Sequence, residues 1–452
     1  MIEERDLLDL CKAIVDRGKS LGADAIEVHA EDSSDLEATI EMAQVSRVDL
    51  NIGTQIAIRV FLKNKVGSAF TNIPTKEAAF EALELAIAAA RATTVDENLQ
   101  TLPDPSEYKT VAGLWNDAIA NAEASSVAEI SAEIVKKCIS LEPDLIIGLG
   151  GSGMITYVRA YANSSKVETS ERGAVGFAYI FGVAPIESGM TPGVLSFDIG
   201  RREKIDIDRI ADEIVKYIRI VKKTVSGKSG KFTVIMHPGA YNDIMNYTLL
   251  QSVRGDNVAR GKSKIGDKIG EKIASDIVSI YDDGLDTRGL NSSISDDEGV
   301  PRQRTPLIEK GVLRSFLWDN YWAKRMGVKS TGNARRNKRQ GLVEVATSNI
   351  IIEPGSREID EIISEIEYGY YIHGVQGAHS SNPESGDFSV VGNPAILIEN
   401  GKLVGAVHGL MVSGNIYDLL KQTVEIAKTP VKLQTLIGPE IKVQNLDIIA
   451  KE

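Results

Sequence analysis

The sequence predicts an α+β protein in which two small N-terminal α/β units precede a large β-rich C-terminal domain with a mainly antiparallel sheet. Apolar residues recur at helical spacing in a few separated segments and alternate with polar residues over most of the remaining chain. Helices do not follow strands one by one, as a parallel βαβ succession requires. A chain of 452 residues can hold several cores. We predict domains over residues 1–105, 106–225 and 226–452.

The first predicted domain opens with a helix, because apolar residues recur at helical spacing over residues 7–15. Alternating apolar residues then predict strands, including a hairpin over residues 56–70 that turns at residues 63–65. Thr75 follows a proline and is a suitable N-cap for the Ala-rich helix after it. The sequence Leu-Pro-Asp-Pro at residues 102–105 interrupts these patterns and predicts a linker.

The second and third predicted domains are divided by a flexible joint rich in glycine and serine at residues 226–231. Before it, helical periodicity predicts helices over residues 127–141 and 207–221, with a run of strands between them. After it, the pattern predicts strands and turns, with a final helix near residues 417–427.

Two glycine-containing segments match parts of nucleotide-binding motifs. Residues 148–153 fit G-x-G-x-x-G, but the residues after them alternate as in a strand, whereas a dinucleotide site needs a helix there. We therefore predict a glycine-rich bend between strands. Gly-Lys-Ser at residues 227–229 matches the end of a P-loop, but a predicted helix precedes it and a predicted strand follows it, the reverse of a P-loop. We interpret it as a linker.

The composition argues against several classes of function. With 51 Lys and Arg against 63 Asp and Glu, the net charge of −12 disfavours nucleic-acid binding over a broad surface. We interpret the one basic run, residues 333–339, as a solvated loop. No apolar stretch reaches the roughly 18–20 residues of a membrane span. Cys11 and Cys138 do not make a disulfide framework and the N-terminus lacks a secretory signal, so we expect a cytoplasmic location.

The segment most informative about function is residues 377–389, where Gly, Pro, Asn, Ser and Asp surround one histidine between predicted strands. Such residues form turns and present polar groups. One interpretation is a structural loop fixed by bonds from its own side chains to the backbone. The other is a loop that binds an extended peptide. Its candidate substrate-binding residues are His379, Ser380, Asn382, Asp387 and Ser389.

This segment also carries a family resemblance. It reads G-x-H-S-x-N-P-x-[ST]-G-D-F-S and is followed by a strand and Ile-Glu-Asn-Gly-Lys at residues 398–402. Together with the motifs at residues 261–263, 282–284 and 332–335, it resembles the C-terminal signature of the TldD/PmbA metallopeptidase family, in its PmbA (TldE) branch. The resemblance implies a dimer that encloses a large cavity in which an unfolded peptide is cut.

Members of the TldD branch carry H-E-x-x-x-H on a helix, where two imidazoles bind a divalent metal and the glutamate activates water. The resemblance places this helix after the strand over residues 232–236, starting at residues 237–240. It matches the motif positions to Asn246, Tyr247 and Gln251, so that amides replace both histidines and tyrosine replaces the glutamate. A cysteine also helps to bind metal in the active branch, and residues 226–452 contain none. The resemblance therefore implies that this chain has no metal, no cofactor and no catalytic residue of its own.

The residues leave two other catalytic arrangements open. His373 and His379, with Glu367 and Asp387 nearby, could hold a metal if a turn brings them together. Alternatively, Ser380 or Ser389 could act as a nucleophile with His379 and Asp387. Adjacent residues in an extended segment point in opposite directions, so Ser380 cannot easily bond to His379.

Three functional hypotheses follow from the sequence. The first is a non-catalytic subunit of a cytosolic metallopeptidase complex, paired with a TldD-like catalytic subunit that supplies the metal and the glutamate. The second is a self-contained hydrolase with a site near His379. The third is a homo-oligomeric peptide-binding protein, in which the chain pairs with itself. The expected partners are a TldD-like catalytic subunit or a second copy of the chain, with an unfolded peptide as the substrate. Neither nucleic acid nor a membrane is expected as a partner.

Overall fold

The computed structural model describes residues 1–99, 102–187, 189–202, 204–337 and 342–450. The helices within these ranges are α1 (Glu4–Ser20), α2 (Lys76–Ala92), α3 (Asp117–Ala120), α4 (Ala124–Leu141), α5 (Ile207–Val221), α6 (Pro238–Asn246), α7 (Leu249–Ser252), α8 (Gly255–Ala259), α9 (Asn320–Arg325), α10 (Ile359–Ser364) and α11 (Ile416–Lys421). None of these helices is both long enough and apolar enough to cross a lipid bilayer.

The strands of the N-terminal half form one antiparallel six-stranded sheet in the order β3-β2-β1-β4-β5-β8, beside a short β6-β7 pair. These strands are β1 (Ala25–Glu41), β2 (Gln44–Leu62), β3 (Lys65–Thr71), β4 (Ile146–Asn163), β5 (Glu168–Val183), β6 (Pro185–Ile186), β7 (Gly189–Met190) and β8 (Val194–Gly200). Strands from both predicted N-terminal domains therefore share one sheet, with β1 hydrogen-bonded to β4 along its length. The domain boundaries at residues 105 and 225 stay predictions.

The C-terminal region is rich in strands, and its largest sheets have six and nine strands. The strands are β9 (Gly230–Met236), β10 (Ile280–Asp283), β11 (Arg304–Glu309), β12 (Val312–Leu313), β13 (Ala334–Arg336), β14 (Val343–Val345), β15 (Ile350–Ile352), β16 (Tyr368–Ile372), β17 (Val375–Gln376), β18 (Asp387–Gly392), β19 (Ala395–Glu399), β20 (Lys402–Ala406), β21 (Met411–Asn415), β22 (Thr423–Ile426), β23 (Val431–Lys432), β24 (Leu436–Gly438) and β25 (Ile441–Ile449). The predicted α+β class, with a β-rich C-terminal region and mainly antiparallel pairing, is confirmed.

Several local predictions for the first 100 residues are confirmed because they depend on neighbouring residues. The predicted hairpin joins β2 to β3, and its turn residues Lys63 and Asn64 have φ of 48° and 59°. Positive φ at both central residues matches the right-handed twist of the two strands. Thr75 caps α2, since its hydroxyl accepts a hydrogen bond from the backbone N–H of Ala78.

The predicted bend at residues 148–153 is wrong, because this segment lies inside the continuous strand β4. The glycines are needed for close packing of neighbouring strands instead. A Cβ atom at Gly150 would lie 2.8 Å from the carbonyl oxygen of Tyr179, and one at Gly151 would lie 2.6 Å from that of Ala38. Glycine within a strand thus marks close backbone approach here.

The predicted final helix over residues 417–427 is also shorter than expected. Helix α11 ends at Lys421, and residues 423–426 form β22, which pairs with β25. The side chains of Thr423, Val424 and Ile426 are β-branched and suit a strand. Pairing with β25 therefore outweighs the helical spacing of the apolar residues.

The basic run at residues 333–339 is not a solvated loop where the structure describes it. Asn333, Ala334 and Arg336 are buried, and residues 334–336 form β13. Residues 338 and 339 lie outside the described part of the chain. Arg336 is buried because it pairs with an acidic residue of the N-terminal sheet.

That partner is Glu27 of β1, a fully buried carboxylate between two arginines. Its oxygens lie 2.6 Å from Nε of Arg59 and 2.7 Å from an Nη atom of Arg336, and the hydroxyl of Tyr161 donates a hydrogen bond to it at 2.8 Å. Arg59 also pairs with Glu298 at 2.6 Å. Burial alone raises the pKa of Glu27, but the charges of Arg59 and Arg336 hold it below its ordinary value. This cluster, the Glu27 cluster, joins the two halves of the molecule.

We expect Glu27→Gln to lower the free energy of unfolding by about 3 kcal/mol at pH 7, because it leaves two buried guanidinium groups without their shared carboxylate. The loss should be present in full above pH 4.5, the ordinary pKa of this side chain, and shrink as the pH falls through its lower folded value. Urea unfolding at several pH values measures both effects.

Glu365→Gln is the matched control, since Glu365 forms an exposed ion pair with Arg357 on the surface. It should leave the urea midpoint unchanged. Equal effects of the two substitutions would contradict a special role for the buried cluster.

Candidate functional site

The region of interest begins where two parallel strands end side by side. Strands β9 and β16 are neighbours in the nine-stranded sheet, with Met236 opposite Ile372. The next residues, His237 and His373, continue from the same edge. The chain after β9 enters α6 and α7, and the chain after β16 leads to the loop at residues 377–389. Because the carboxyl ends of parallel strands meet at one edge, two segments far apart in sequence meet here.

Helix α6 starts at this edge for a local reason. The Nδ1 atom of His237 accepts a hydrogen bond from the backbone N–H of Gly239, at 3.1 Å, and Pro238 occupies the first helical position. Both features favour a helix start. The prediction that a helix begins here is confirmed.

The helix ends before it reaches the last position matched to H-E-x-x-x-H. Helix α6 stops at Asn246, Tyr247 and Thr248 are not helical, and Gln251 belongs to α7. The side-chain amide of Gln251 donates a hydrogen bond to the carbonyl oxygen of Asn246, at 2.8 Å. Asn246 thus ends α6, Tyr247 lies in the break after it, and Gln251 lies in α7.

A pocket of about 290 Å³ lies between these helices and the loop at residues 377–389. We call it the α6–loop pocket. It brings together two of the matched positions and one candidate loop residue, since Tyr247, Gln251 and His379 line it. The other lining residues are Asn257, Lys262, Ser381, Pro383 and Glu384.

Hydrogen bonds hold the two sides of the pocket together. The hydroxyl of Ser252 in α7 donates to the carbonyl oxygen of Pro383 in the loop, at 3.3 Å, and accepts from the hydroxyl of Tyr417, at 2.8 Å. Within the helical side, the amide of Asn257 in α8 donates to the carbonyl oxygen of Gln251 in α7, at 2.9 Å. The pocket is therefore built from positioned polar groups.

Asn382 organises the loop rather than lining the pocket. Its side-chain oxygen accepts hydrogen bonds from the backbone N–H groups of Glu384 and Ser385, at 2.9 and 3.1 Å. Its own backbone bonds to Asp387 and Gly386, each at 2.8 Å. This is the local side-chain and backbone bonding typical of turns rich in Asn.

Asp387 and Ser389 lie on β18, behind the loop. The carboxylate of Asp387 accepts hydrogen bonds from Asn415 at 2.8 Å and from Ser385 at 2.6 Å, and these bonds lower its pKa. Ser389 is exposed and faces Ser413 across the sheet. Neither residue lines the pocket.

The hydrogen bonds around His379 do not form a catalytic triad. The hydroxyl of Ser380 donates to the carbonyl oxygen of Gly377, at 2.7 Å, and Asp387 is occupied by Asn415 and Ser385. Within the described residues, no hydrogen bond links His379 to a serine or a carboxylate. His379 is exposed at the pocket and available to a ligand.

The residues at the matched positions do not fit a metal. They offer two amides and a phenol, whereas zinc in proteins is bound by thiolate, imidazole and carboxylate ligands. Across the described ranges, one group of metal-ligating side chains converges, and it consists of Glu213, His237 and His373. His373 therefore joins His237, not His379 as one sequence hypothesis suggested.

Much of the pocket could not be predicted from the sequence. Asn257, Ser381, Pro383 and Glu384 were not singled out as candidates, and Lys262 appeared only inside the family motif at residues 261–263. Their positions depend on the pairing of β9 with β16, which joins residues more than 130 positions apart. The polar motif around Lys262 was the one available signal.

The fold and this pocket define a class: an α+β protein whose C-terminal sheet presents a helix and a polar loop at one edge. Residues 229–450 match the family described as PmbA/TldA metallopeptidase C-terminal domain, and residues 26–92 match PmbA/TldA metallopeptidase domain 1. A protein of Methanocaldococcus jannaschii is 30% identical over 398 residues, covering 87% of this chain and 89% of that protein. The chain belongs to the PmbA/TldD family.

Two named relatives give detail. The crystal structure of TldE from Thermococcus kodakarensis has a TM-score of 0.94 and 32% identity, with 98% of this chain and 100% of that chain covered. A metalloprotease TldD homolog of Buchnera aphidicola is 29% identical over 261 residues, which is 54% of each chain. The similarity thus extends over the full length for the TldE structure and over about half for the TldD homolog.

We expect Asn382→Ala to lower the free energy of unfolding by about 1 kcal/mol, because two backbone N–H groups of the loop lose their acceptor. His379→Ala should leave stability unchanged, since its side chain is exposed. Urea unfolding compares the two variants. A larger loss for His379→Ala than for Asn382→Ala would show that the roles are reversed.

Asn246→His should neither add bound zinc relative to the wild type nor produce peptidase activity. A metal site needs several ligands and an open water position together, and Tyr247 and Gln251 supply neither a second ligand nor a base. Elemental analysis and a peptide-cleavage assay test this. An additional equivalent of zinc with chelator-sensitive cleavage would contradict it.

Proposed function

We propose that this chain is the non-catalytic subunit of a TldD/TldE-type metallopeptidase complex, paired with a TldD-like subunit that supplies the metal. One observation carries the proposal. At the helix where the resemblance expects the metal motif, the chain has Tyr247 and Gln251, yet it keeps a structured polar pocket against the loop of His379. A subunit that contributes binding but not chemistry would need this combination.

The proposed ligand is an extended, unfolded peptide. The α6–loop pocket offers the groups that bind peptide backbone, namely amides at Gln251 and Asn257, the hydroxyl of Tyr247 and the ammonium group of Lys262. In this proposal, His379 contacts the peptide directly, whereas Asn382 keeps the loop in shape. The proposed location is cytoplasmic, which is consistent with the free, buried thiols of the two cysteines.

The test is reconstitution with a TldD-like protein from the same genome. We expect the two chains to co-elute in size-exclusion chromatography and to cleave an unfolded peptide, while this chain alone does not. Cleavage by this chain alone would support the self-contained hydrolase. Self-association with no binding to the TldD-like protein would support the homo-oligomeric peptide-binding protein.

Within the reconstituted complex, His379→Ala should reduce kcat/KM for the peptide about fivefold, the effect of losing one contact of about 1 kcal/mol. His408→Ala is the matched control, because His408 is an exposed histidine that does not line the pocket. It should leave cleavage unchanged. If both variants cleave like the wild type, the pocket does not hold the peptide.

A further inference from the structure

One face of the N-terminal sheet carries a group of apolar side chains that remain partly exposed. Leu149 of β4 lies opposite Phe181 of β5, and Phe181 lies opposite Leu195 of β8, so the three side chains point to the same side. Leu149 and Leu195 are 48% and 45% exposed. The same side of β5 also carries Phe177 and Tyr179, which are half-buried. We call these five residues the aromatic face.

The opposite side of the same strands is covered by a helix. Ala178 and Ile180 of β5 are fully buried and share one hydrophobic core with Ile214 of α5. Within the described ranges, none of the five residues of the aromatic face belongs to a hydrophobic core. A group of exposed apolar side chains on one surface is typical of a binding site.

Two glycines of β4 make room for the aromatic rings. A Cβ atom at Gly153 would overlap the ring of Phe177, and one at Gly151 would lie 3.4 Å from a ring carbon of Tyr179. The two rings therefore extend from β5 across β4, and their centroids are 6.4 Å apart. Beyond β4 lies β1, where Glu37 is opposite Gly153. After burial, the charge of Glu37 contributes to the raised pKa of Tyr179, because the phenol lies near this carboxylate.

Acidic side chains of β1 and β2 border the aromatic face. Asp35 and Glu37 are two residues apart on β1, and Asp49 of β2 lies opposite Glu37, so all three point to this side of the sheet. Asp49 pairs with Arg47 at 2.9 Å, whereas Asp35 and Glu37 have no ion pair within the described residues. Oδ1 of Asp35 is buried and has no hydrogen-bond partner there. Burial raises the pKa of both carboxyl groups, and the charges of Asp35 and Asp49 add to the rise for Glu37. Negative charge is therefore in excess beside the two rings.

Aromatic rings beside carboxylates are suited to bind an ammonium or guanidinium group. The ring quadrupole attracts a cation, and a carboxylate forms charge-assisted hydrogen bonds with it. No Lys or Arg side chain of the described ranges lies over the ring of Phe177 or Tyr179. The same negative charge disfavours nucleic acid and a second copy of this face.

We propose that the aromatic face binds a Lys or Arg side chain of an extended peptide beside Tyr179 and Glu37, and an apolar side chain of the same peptide at Phe181. Alternate residues of an extended chain point to one side, roughly 6.7 Å apart, which is also the spacing of Tyr179 and Phe181 along β5. The inference rests on the proposed function for the nature of the ligand. It adds the substrate class, which is unfolded peptides that combine basic and apolar residues.

The test uses the full chain without any partner protein. Two fluorescein-labelled peptides of equal length contain Phe and Leu and differ in carrying either Lys or Gln at the same positions. We expect fluorescence anisotropy to show about fivefold tighter binding of the Lys peptide, since only this peptide supplies a cation. The preference should shrink in high salt, because salt screens partly exposed charges.

Single substitutions test whether the preference arises at this face. Glu37→Gln removes a charge and Tyr179→Leu removes the π system, so each should reduce the preference for the Lys peptide to about twofold or less. Tyr179→Phe keeps the ring and should retain the preference. Glu84→Gln, at an exposed position of α2, is the control for loss of a carboxylate and should bind like the wild type. Urea unfolding checks that the variants fold.

Equal binding of both peptides by the wild type would overturn the assignment, and so would an unchanged preference in both Glu37→Gln and Tyr179→Leu. Self-association that Tyr179→Leu abolishes, with no preference for the Lys peptide, would identify a second copy as the occupant and overturn it as well. None of these results involves the TldD-like subunit, so they leave the proposed function intact. Failed reconstitution beside a clear preference for the Lys peptide would remove the proposed function and support the binding face.

Discussion

The buried carboxylate of Glu27 fixes how the two halves of this molecule sit together. Its arginine partners come from opposite sides: Arg59 from the N-terminal sheet and Arg336 from β13 of the C-terminal region. Charges inside a protein are tolerated when each has its partner at close range, so a small shift of one half would leave ions unpaired. The loop between β10 and β11 holds Arg336 in place, because Asp297 accepts the backbone N–H of Arg336 at 2.7 Å.

Helix α5 packs against both halves of the molecule. Its buried face includes Ile214 and Ile218, and these residues share one core with Leu145 of the N-terminal half and Ile235 of β9. The helix thus lies over the edge where β9 and β16 end. The Glu27 cluster and α5 are independent contacts between the same two halves, which explains why residues from α5 can take part in a cluster with His237 and His373.

The sequence predicted what neighbouring residues decide and missed what distant pairing decides. The start of α6, the cap at Thr75 and the turn at residues 63–65 follow from a few adjacent residues. The burial of Arg336 depends on Glu27, 309 positions away. For the same reason, only one side of the candidate site was predicted. The loop at residues 377–389 has a distinctive composition, which the sequence shows. Its contact with the pocket wall at Gln251 depends on the parallel pairing of β9 and β16.

That parallel pair produces two different environments at one sheet edge. The side that faces α5 is covered, so the first residues after the strands, His237 and His373, are buried and neutral. The far end of α6 reaches the surface, where Tyr247 and His379 are exposed beside a polar loop. Buried side chains are held in fixed contacts, whereas exposed side chains can contact a peptide reversibly. Tyr247 and Gln251, two of the residues that the resemblance matches to the metal motif, line this open side. The scaffold that joins helix and loop is set by strand pairing and does not depend on those residues.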